Sequence, residues 1–381
     1  MTLREYQVCS RCVHDTSDPE IEFDANGVCN HCRKFDESIS KQWHPNERGA
    51  VMLRAKIDQI KEEGKGQRFD SILGLSGGLD SSYLALKLKE FGLRPLLVHV
   101  DAGWNSELAV HNIDRIISYC GFELYTKVLD WREVRDLQLA YLKSGVANQD
   151  VVQDHGFFAA LYNFANKENI KYVFNGGNIA TESVFPNAWH HAAMDAINLK
   201  AIHRQYGKIP LKDFETVSFF KYYIYYPFIK RMKVIRPLNF VPYSKQLALD
   251  HLKREVGYKE YGRKHGESVF TRFFQNYFLP TRFGYDKRRP HLSSLILSGQ
   301  MTREQALQAL QEPLYDEDEL HQDKAFVARK LEISVDELES YIRMPLRHYS
   351  DYENWDNYYN LLKSAQRVWG RILGRSGNVY S

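Results

Sequence analysis

One short stretch has the residue types and spacing for phosphate chemistry. Ser76, Gly77, Gly78, Asp80, Ser81 and Ser82 stand within Ser-Gly-Gly-Leu-Asp-Ser-Ser. Lacking a Cβ, the two glycines let main-chain N–H groups approach an anion, and a helix starting near Asp80 aims its own free N–H groups the same way. The serines add hydroxyl donors, and Asp80 can cap the helix or hold a cation. No lysine follows closely, so the γ-phosphate grip of the Gly-Lys-Ser/Thr loop is absent. A serine-lined cradle of this kind suits pyrophosphate held as one unit.

Four cysteines carry the second candidate chemistry. Cys9-x2-Cys12 and Cys29-x2-Cys32, sixteen residues apart, have the spacing of a tetrahedral thiolate zinc site of the ribbon or knuckle type. The segment has little apolar content, so metal binding would supply most of its folding energy, on the order of 10 kcal/mol. An iron–sulfur cluster is the competing reading, but four thiols in two pairs favour a closed structural zinc over a cluster with an open iron. His14 and His31 are expected at the surface beside the site, and Cys120, at a helix end, is expected to be buried and inert.

These groups need elements to position them. The apolar run Ile72–Leu75 reads as a buried strand feeding the serine–glycine turn, followed by a helix with Leu84, Leu88 and Phe91 on one face. Residues 47–63 read as a helix stopped by Gly64, which joins the cysteine module to that strand. Arg94–Asp101 is a second strand ending in a carboxylate, and ligands of open parallel sheets sit beyond such ends. Asp101 is thus placed to meet a nucleoside, with Trp104 as a wall, or else is a turn aspartate. A helix over Leu108–Tyr119, a strand over Leu124–Val128 and a helix over Arg132–Leu142 follow. Asp154 precedes an expected helix Phe157–Ala165, either as its cap or as a carboxylate at the functional edge. The strand Lys171–Phe174 then runs into Asn175-Gly-Gly-Asn178, a second glycine turn that should face the first, with Glu182 just beyond.

Alternating strands and helices imply an α/β fold, a doubly wound parallel sheet with right-handed crossovers. The strand rhythm stops near residue 184. The expected division is a zinc-binding module over 1–45, a nucleotide domain over 46–210 and a helical, aromatic-rich substrate or oligomerisation region over 211–381. His190, His191 and His203 lack the spacing of a second metal site and read as pocket or surface residues. Tyr222, Tyr223, Tyr225 and Tyr226 can stack on a sugar or base, although packing is their commoner fate. Residues 258–297 interleave Arg263, Lys264, Arg272, Arg282, Lys287, Arg288 and Arg289 with Tyr and Phe. Such a band can grip RNA or a small anionic substrate.

Composition narrows the choice. A net charge of +3 over 381 residues is too mild to mark a nucleic-acid binder, which favours the small anion. The start of the chain has no signal-peptide core, and Phe219–Ile229 is too short and too interrupted to span a bilayer, so a cytoplasmic protein is expected. The tail is helical, with capping boxes at Thr302-x-x-Gln305 and Ser334-x-x-Glu337, and suits a bundle or a homo-oligomer contact.

Ser76–Ser81 resembles the Ser-Gly-Gly-x-Asp-Ser signature of the PP-loop ATP pyrophosphatases. Gly177-Asn178 matches only partly the Gly-His-Asn loop that closes on ATP in that family. A wider set is similar to the N-acetyl sugar amidotransferases of bacterial lipopolysaccharide O-antigen and nonulosonic-acid biosynthesis. It comprises the cysteine-rich start, Ser-Gly-Gly-Leu-Asp-Ser-Ser, His99-Val-Asp-Ala-Gly-Trp-Asn105, Gly176-Gly-Asn-Ile-Ala-Thr-Glu-Ser183 and the run from Asp286 to Gln300. The resemblance implies that ATP is split to AMP and pyrophosphate, and that an acetamido group becomes an acetamidino group. It also implies ammonia from a separate glutaminase with a cyclase-like subunit, since Thr2 stands where an N-terminal nucleophile would need cysteine. On this reading Ser76, Gly77, Gly78, Asp80, Ser81, Ser82, Asp101, Gly177 and Asn178 hold ATP, and Asp80 anchors Mg2+. Lys287 or Arg288 steadies the α-phosphate, and Asp154 or Glu182 manages the ammonia proton or the metal. Glu182, Arg282 and Arg288 meet the sugar, which enters free or as a sugar nucleotide. The rival readings are a tRNA-modifying adenylyltransferase and a non-catalytic ATP-binding scaffold.

Overall fold

The structure, a computed structural model, describes residues 5–189, 191–261 and 266–373, with side chains to 366. His190, Arg263 and Lys264 lie outside the described residues. Five parallel strands form one sheet in the order β3-β2-β1-β4-β5: β1 Ser71–Gly74, β2 Pro95–Asp101, β3 Leu124–Val128, β4 Tyr172–Phe174 and β5 Lys233–Ile235. β1 aligns Ile72 with Leu96 of β2 on one side and with Val173 of β4 on the other. The strand order therefore reverses between β1 and β4, which opens the ligand crevice of a doubly wound sheet.

Alternation along the strands builds two cores. Ile72, Val98 and Val173 face one layer with helices Trp131–Ser144, Val151–Lys167 and Ala196–Tyr206. Leu73, Leu97, Tyr172 and Phe174 face the other, with helices Glu47–Glu63, Leu79–Glu90, Glu107–Cys120 and Lys245–Val256. The helix over 47–63 and the strand over 124–128 stand where the pattern put them.

Two departures are instructive. The strand rhythm does not end at 184, because β5 adds to the sheet beside β4, and a boundary at 210 cuts through that sheet. β5 is three residues at an edge, with Val234 exposed, so no apolar run announced it. The chain beyond 211 also lacks a core of its own. Phe270, Phe273, Phe274, Val327, Leu331, Leu338 and Trp355 share one core with the β1 side of the sheet. Tyr223 and Tyr226 are buried there against Trp355 and Tyr162, so packing is their role. Among the described residues no helix is long and apolar enough to cross a membrane.

Candidate functional site

Both glycine turns leave the carboxyl ends of neighbouring strands, so they meet. A Cβ on Gly176 would stand 3.2 Å from the main-chain atoms of Asp80 and Ser81, a separation that a bare glycine keeps open for close backbone approach. Within the first turn, Ser76 Oγ lies 3.2 Å from Ser81 Oγ and accepts from Gly78 N at 3.2 Å, and Ser81 donates to the Gly78 carbonyl. Ser82 Oγ, in the first turn of the following helix, is buried and has no hydrogen-bond partner among the described residues. Such an orphan at the mouth of an anion cradle fits a site shaped for a ligand.

Carboxylates and phenols surround the cradle. Asp80 accepts from the hydroxyl of Tyr243. Burial first, then the charges of Asp80 and Glu182, push the Tyr243 phenol far above its ordinary range, so it stays a neutral donor. Glu182 also reaches to 3.7 Å from a Cβ placed at Gly177, and a Glu267 carboxylate oxygen to 3.0 Å from a Cβ placed at Gly78. Asn178 caps the short helix Ile179–Glu182 by accepting from Thr181 N at 3.0 Å. His99 on β2 supports the strand end through the Leu75 carbonyl at 2.9 Å, and Asn105 bridges it to Asp101. Tyr243 and Glu267 carried no local signal as site residues, since each is brought in by packing across the fold, whereas His99 stood inside a motif without a role of its own.

Other expected site residues sit elsewhere or do different work. Asp101 accepts from Gly103 N at 2.8 Å and so closes its own turn. Trp104 is 1% exposed between Trp131, Phe270 and Phe326, a core residue and no wall of an open site. Asp154 caps nothing: its helix begins at Val151, which leaves Asp154 exposed in the first turn. Asp150, before that helix, is the buried carboxylate and accepts from Thr271 and Gln275.

Arg282 is buried and donates to the carbonyls of Tyr341, Ile342, Gly145 and Pro345, which makes it a clamp between helices in place of the expected substrate contact. Arg288 is likewise tied to Asp286 and to the carbonyls of Ala309, Leu310 and Glu312. Arg272 pairs with Asp323, and Arg289 with Asp15. The described arginines of the basic band are thus matched within the protein, which removes much of the footprint expected for RNA. Lys287 stands just before helix Arg288–Leu297, its ammonium 5.7 Å from the Phe185 ring and 5.4 Å from that of Phe274. His191 is paired with Asp195 and His203 with Asp136, so neither is a loose surface group.

The four cysteines converge as their spacing predicts. Their sulfurs lie within 4.8 Å of one another, with Cys12 and Cys32 both 3.6 Å from Cys29 and Cys9 3.9 Å from Cys32. Zinc–sulfur bonds of about 2.3 Å in a tetrahedron require sulfurs about 3.8 Å apart, so the donor set fits. Main-chain N–H groups of Cys12 and Cys29 point at Cys9 Sγ, as thiolates require. His14 and His31 are not surface residues. His14 is buried, stacks on His31 at 4.6 Å and meets the Val184 carbonyl at 3.3 Å, while His31 pairs with Asp18. Cys120 is buried, and burial pushes its thiol up to about 12, in keeping with an inert side chain.

The cysteine module is bolted to the second glycine turn through helix Arg288–Leu297. Ser293 accepts from Val13 N, and Arg289 and Arg303 donate to the carbonyls of Val13, Cys9 and Cys12. On its other face Ser294 accepts from Ser183 N and Val184 N, and Ser298 donates to the Ala180 carbonyl. The run Asp286–Gln300 therefore links the cysteine cluster to Gly176–Ser183.

Comparison with known proteins adds a family for this region. Two solved structures are similar in part. An NH3-dependent NAD synthetase from Campylobacter jejuni is 16% identical, with a TM-score of 0.28, over 41% of this chain and 72% of its own. An NMN synthetase from Francisella tularensis is 14% identical, with the same TM-score of 0.28, over 56% of this chain and 95% of its own. No curated protein matches. Residues 267–366 match a family model described as the C-terminal domain of WbpG-like LPS biosynthesis proteins, beginning at the Glu267 beside Gly78. Residues 267–366 are thus similar to the C-terminal domain of the WbpG-like LPS biosynthesis proteins, a likeness in agreement with the lipopolysaccharide family that the motifs of the chain resemble.

Proposed function

We propose that this protein is an ATP-dependent amidotransferase. It activates the acetamido oxygen of an N-acetylated sugar, free or nucleotide-linked, and replaces that oxygen with ammonia in making a bacterial surface polysaccharide. The observation that carries the reading is the close approach of Gly176 to the Asp80–Ser81 backbone, from which a Cβ at that position would stand only 3.2 Å away, so that two glycine turns close on one crevice beside the start of the WbpG-like region.

An amide oxygen is a poor leaving group. Attack of that oxygen on the α-phosphorus of ATP forms the P–O bond and breaks the bond to the β-phosphate oxygen, releasing pyrophosphate into the cradle of Ser76, Gly77, Gly78, Ser81 and Ser82. The resulting O-adenylyl imidate accepts ammonia at carbon, a proton leaves the new ammonium, and the C–O bond breaks to expel AMP and leave the acetamidine. Glu182, beside Gly177, takes that proton on this reading, with Asp154 as the alternative. Magnesium, when bound, neutralises phosphate charge, and Asp80 with Glu182 would hold it. Lys287 adds positive charge at the helix start that faces the second turn. Zinc held by Cys9, Cys12, Cys29 and Cys32 has a structural part. Ammonia comes from a glutaminase partner in the cytoplasm, the sugar is the second substrate, and Asp101 and Asn178 border the nucleotide.

Turnover of ATP to AMP and pyrophosphate, measured with ammonium chloride and a panel of acetamido sugars, sugar nucleotides and tRNA, tests this. We expect AMP only with an acetamido sugar or its nucleotide, and Asp80→Ala/Ser81→Ala to slow it by about a thousandfold or more. AMP formed at the normal rate by that double variant, or formed only with tRNA, would overturn the reading.

A further inference from the structure

We propose that Tyr258 and Tyr261, pinned by Asn112, are positioning residues that fix the polarity of the phosphate loop by holding the Gly77 carbonyl out of the anion cradle. The inference rests on the phosphate-binding role of that loop proposed above and assigns residues that no motif named.

Gly77 has φ +82°, a conformation open to glycine, and the peptide that follows it can turn either face toward the cradle. One face presents the Gly78 N–H to an anion, and the other presents a carbonyl that repels it. A planar trans peptide sends its C=O and N–H in opposite directions, so fixing the oxygen fixes the donor. Both hydroxyls take the Gly77 carbonyl, Tyr258 at 3.0 Å and Tyr261 at 2.8 Å, and together they fill the two lone pairs of one oxygen. The Gly78 N–H accordingly points inward, where it now donates to Ser76 Oγ, a bond that an incoming phosphate oxygen replaces.

The clamp is itself held. Asn112 is fully buried on helix Glu107–Cys120. Its amide nitrogen donates to the Tyr261 hydroxyl at 3.1 Å and to the Lys259 carbonyl at 2.9 Å, while its oxygen accepts from Lys259 N at 3.0 Å. That helix also closes the loop from beneath, since a Cβ at Gly77 would lie 2.9 Å from the Ala109 carbonyl. Burial raises both phenols, Tyr261 to about 12, so both remain donors at any working pH.

The test is calorimetric titration of the full chain with magnesium pyrophosphate, MgATP and adenosine, in wild type, Tyr261→Phe and Tyr258→Phe/Tyr261→Phe. Loss of one such hydrogen bond should weaken pyrophosphate and ATP binding by about five- to tenfold, and loss of both by more, while adenosine affinity stays within about twofold. Pyrophosphate bound by the double variant as by wild type overturns the clamp. So does an equal loss of adenosine, which would mean a general loosening of the site. Tyr261 is half-buried, so the single variant carries the test if the double variant does not fold. A wild-type chain that binds neither pyrophosphate nor ATP overturns the proposed function and the clamp with it. A wild-type chain that binds both, with the phenylalanine variants unchanged, overturns the clamp alone.

Discussion

The two glycine turns of the crevice are held by different parts of the fold. The first, Ser76–Ser82, is held by helix Glu107–Cys120 beneath, and by Tyr258, Tyr261 and Tyr243 around it. The second, Asn175–Glu182, is held by another element. Helix Arg288–Leu297 grips it on one face and the cysteine module on the other. The proposed phosphate cradle is thus built into the sheet. The turn that closes over it is tied to the cysteine module and to the WbpG-like region.

Metal removal should break this comparison most sharply. Stripping metal with a chelator, or Cys12→Ser, withdraws a folding contribution on the order of 10 kcal/mol from a module with few apolar residues of its own. We expect the module to unfold while the sheet remains folded. Amide hydrogen exchange should rise at 179–184, through Ser293, Ser294 and His14, and stay low at 76–82. Equal exchange in both turns would show that the two are not held separately.

Acid should destabilise the fold through a different buried group. His155, on the helix that leads to β4, is wholly buried, meeting the Ala193 carbonyl at 2.8 Å and accepting from Val217 N. Burial, its main cause, lowers its pKa to about 4. Above pH 6.5 both folded and unfolded chains carry a neutral ring, and the group adds no pH dependence. As pH falls from 6.5 to about 4 the unfolded chain takes a proton that the folded chain refuses, so stability drops by about 3 kcal/mol across that window. Denaturant melts of wild type and His155→Gln at pH 7 and pH 5 check this, and the slope with pH should flatten in the variant. An unchanged slope would assign the acid sensitivity to other groups.

How much of this the sequence disclosed follows from how local each cause is. The first turn, the helix over 47–63 and the strand over 124–128 are written in contiguous residues, as apolar period, glycine and cap. The cysteine cluster was legible because metal geometry constrains spacing. β5 was not, since an exposed three-residue edge strand exists only through β4. Arg282 and Arg288 looked like anion contacts because composition cannot tell a charge facing a ligand from one facing helix carbonyls. Tyr258 and Tyr261 lay within the band marked as basic and aromatic, yet their target, one carbonyl 181 and 184 residues earlier, is visible only in three dimensions.

The smallest expected effect is the most discriminating. Ser294 carries no charge and is buried in helix Arg288–Leu297. It accepts from Ser183 N at 3.0 Å and Val184 N at 3.3 Å while donating to the Pro290 carbonyl at 2.8 Å. Ser294→Ala removes the acceptor and leaves two main-chain donors unsatisfied, at a cost of about 1–3 kcal/mol in thermal or denaturant unfolding. Because those donors follow directly on the second turn and touch nothing in the first, ATP affinity should fall by a few-fold while inorganic pyrophosphate binds as before. Tyr261→Phe, by contrast, should weaken pyrophosphate and ATP alike. If Ser294→Ala weakens pyrophosphate as much as ATP, the two turns act as one rigid wall, and the separation between a general cradle and a chain-specific cover fails.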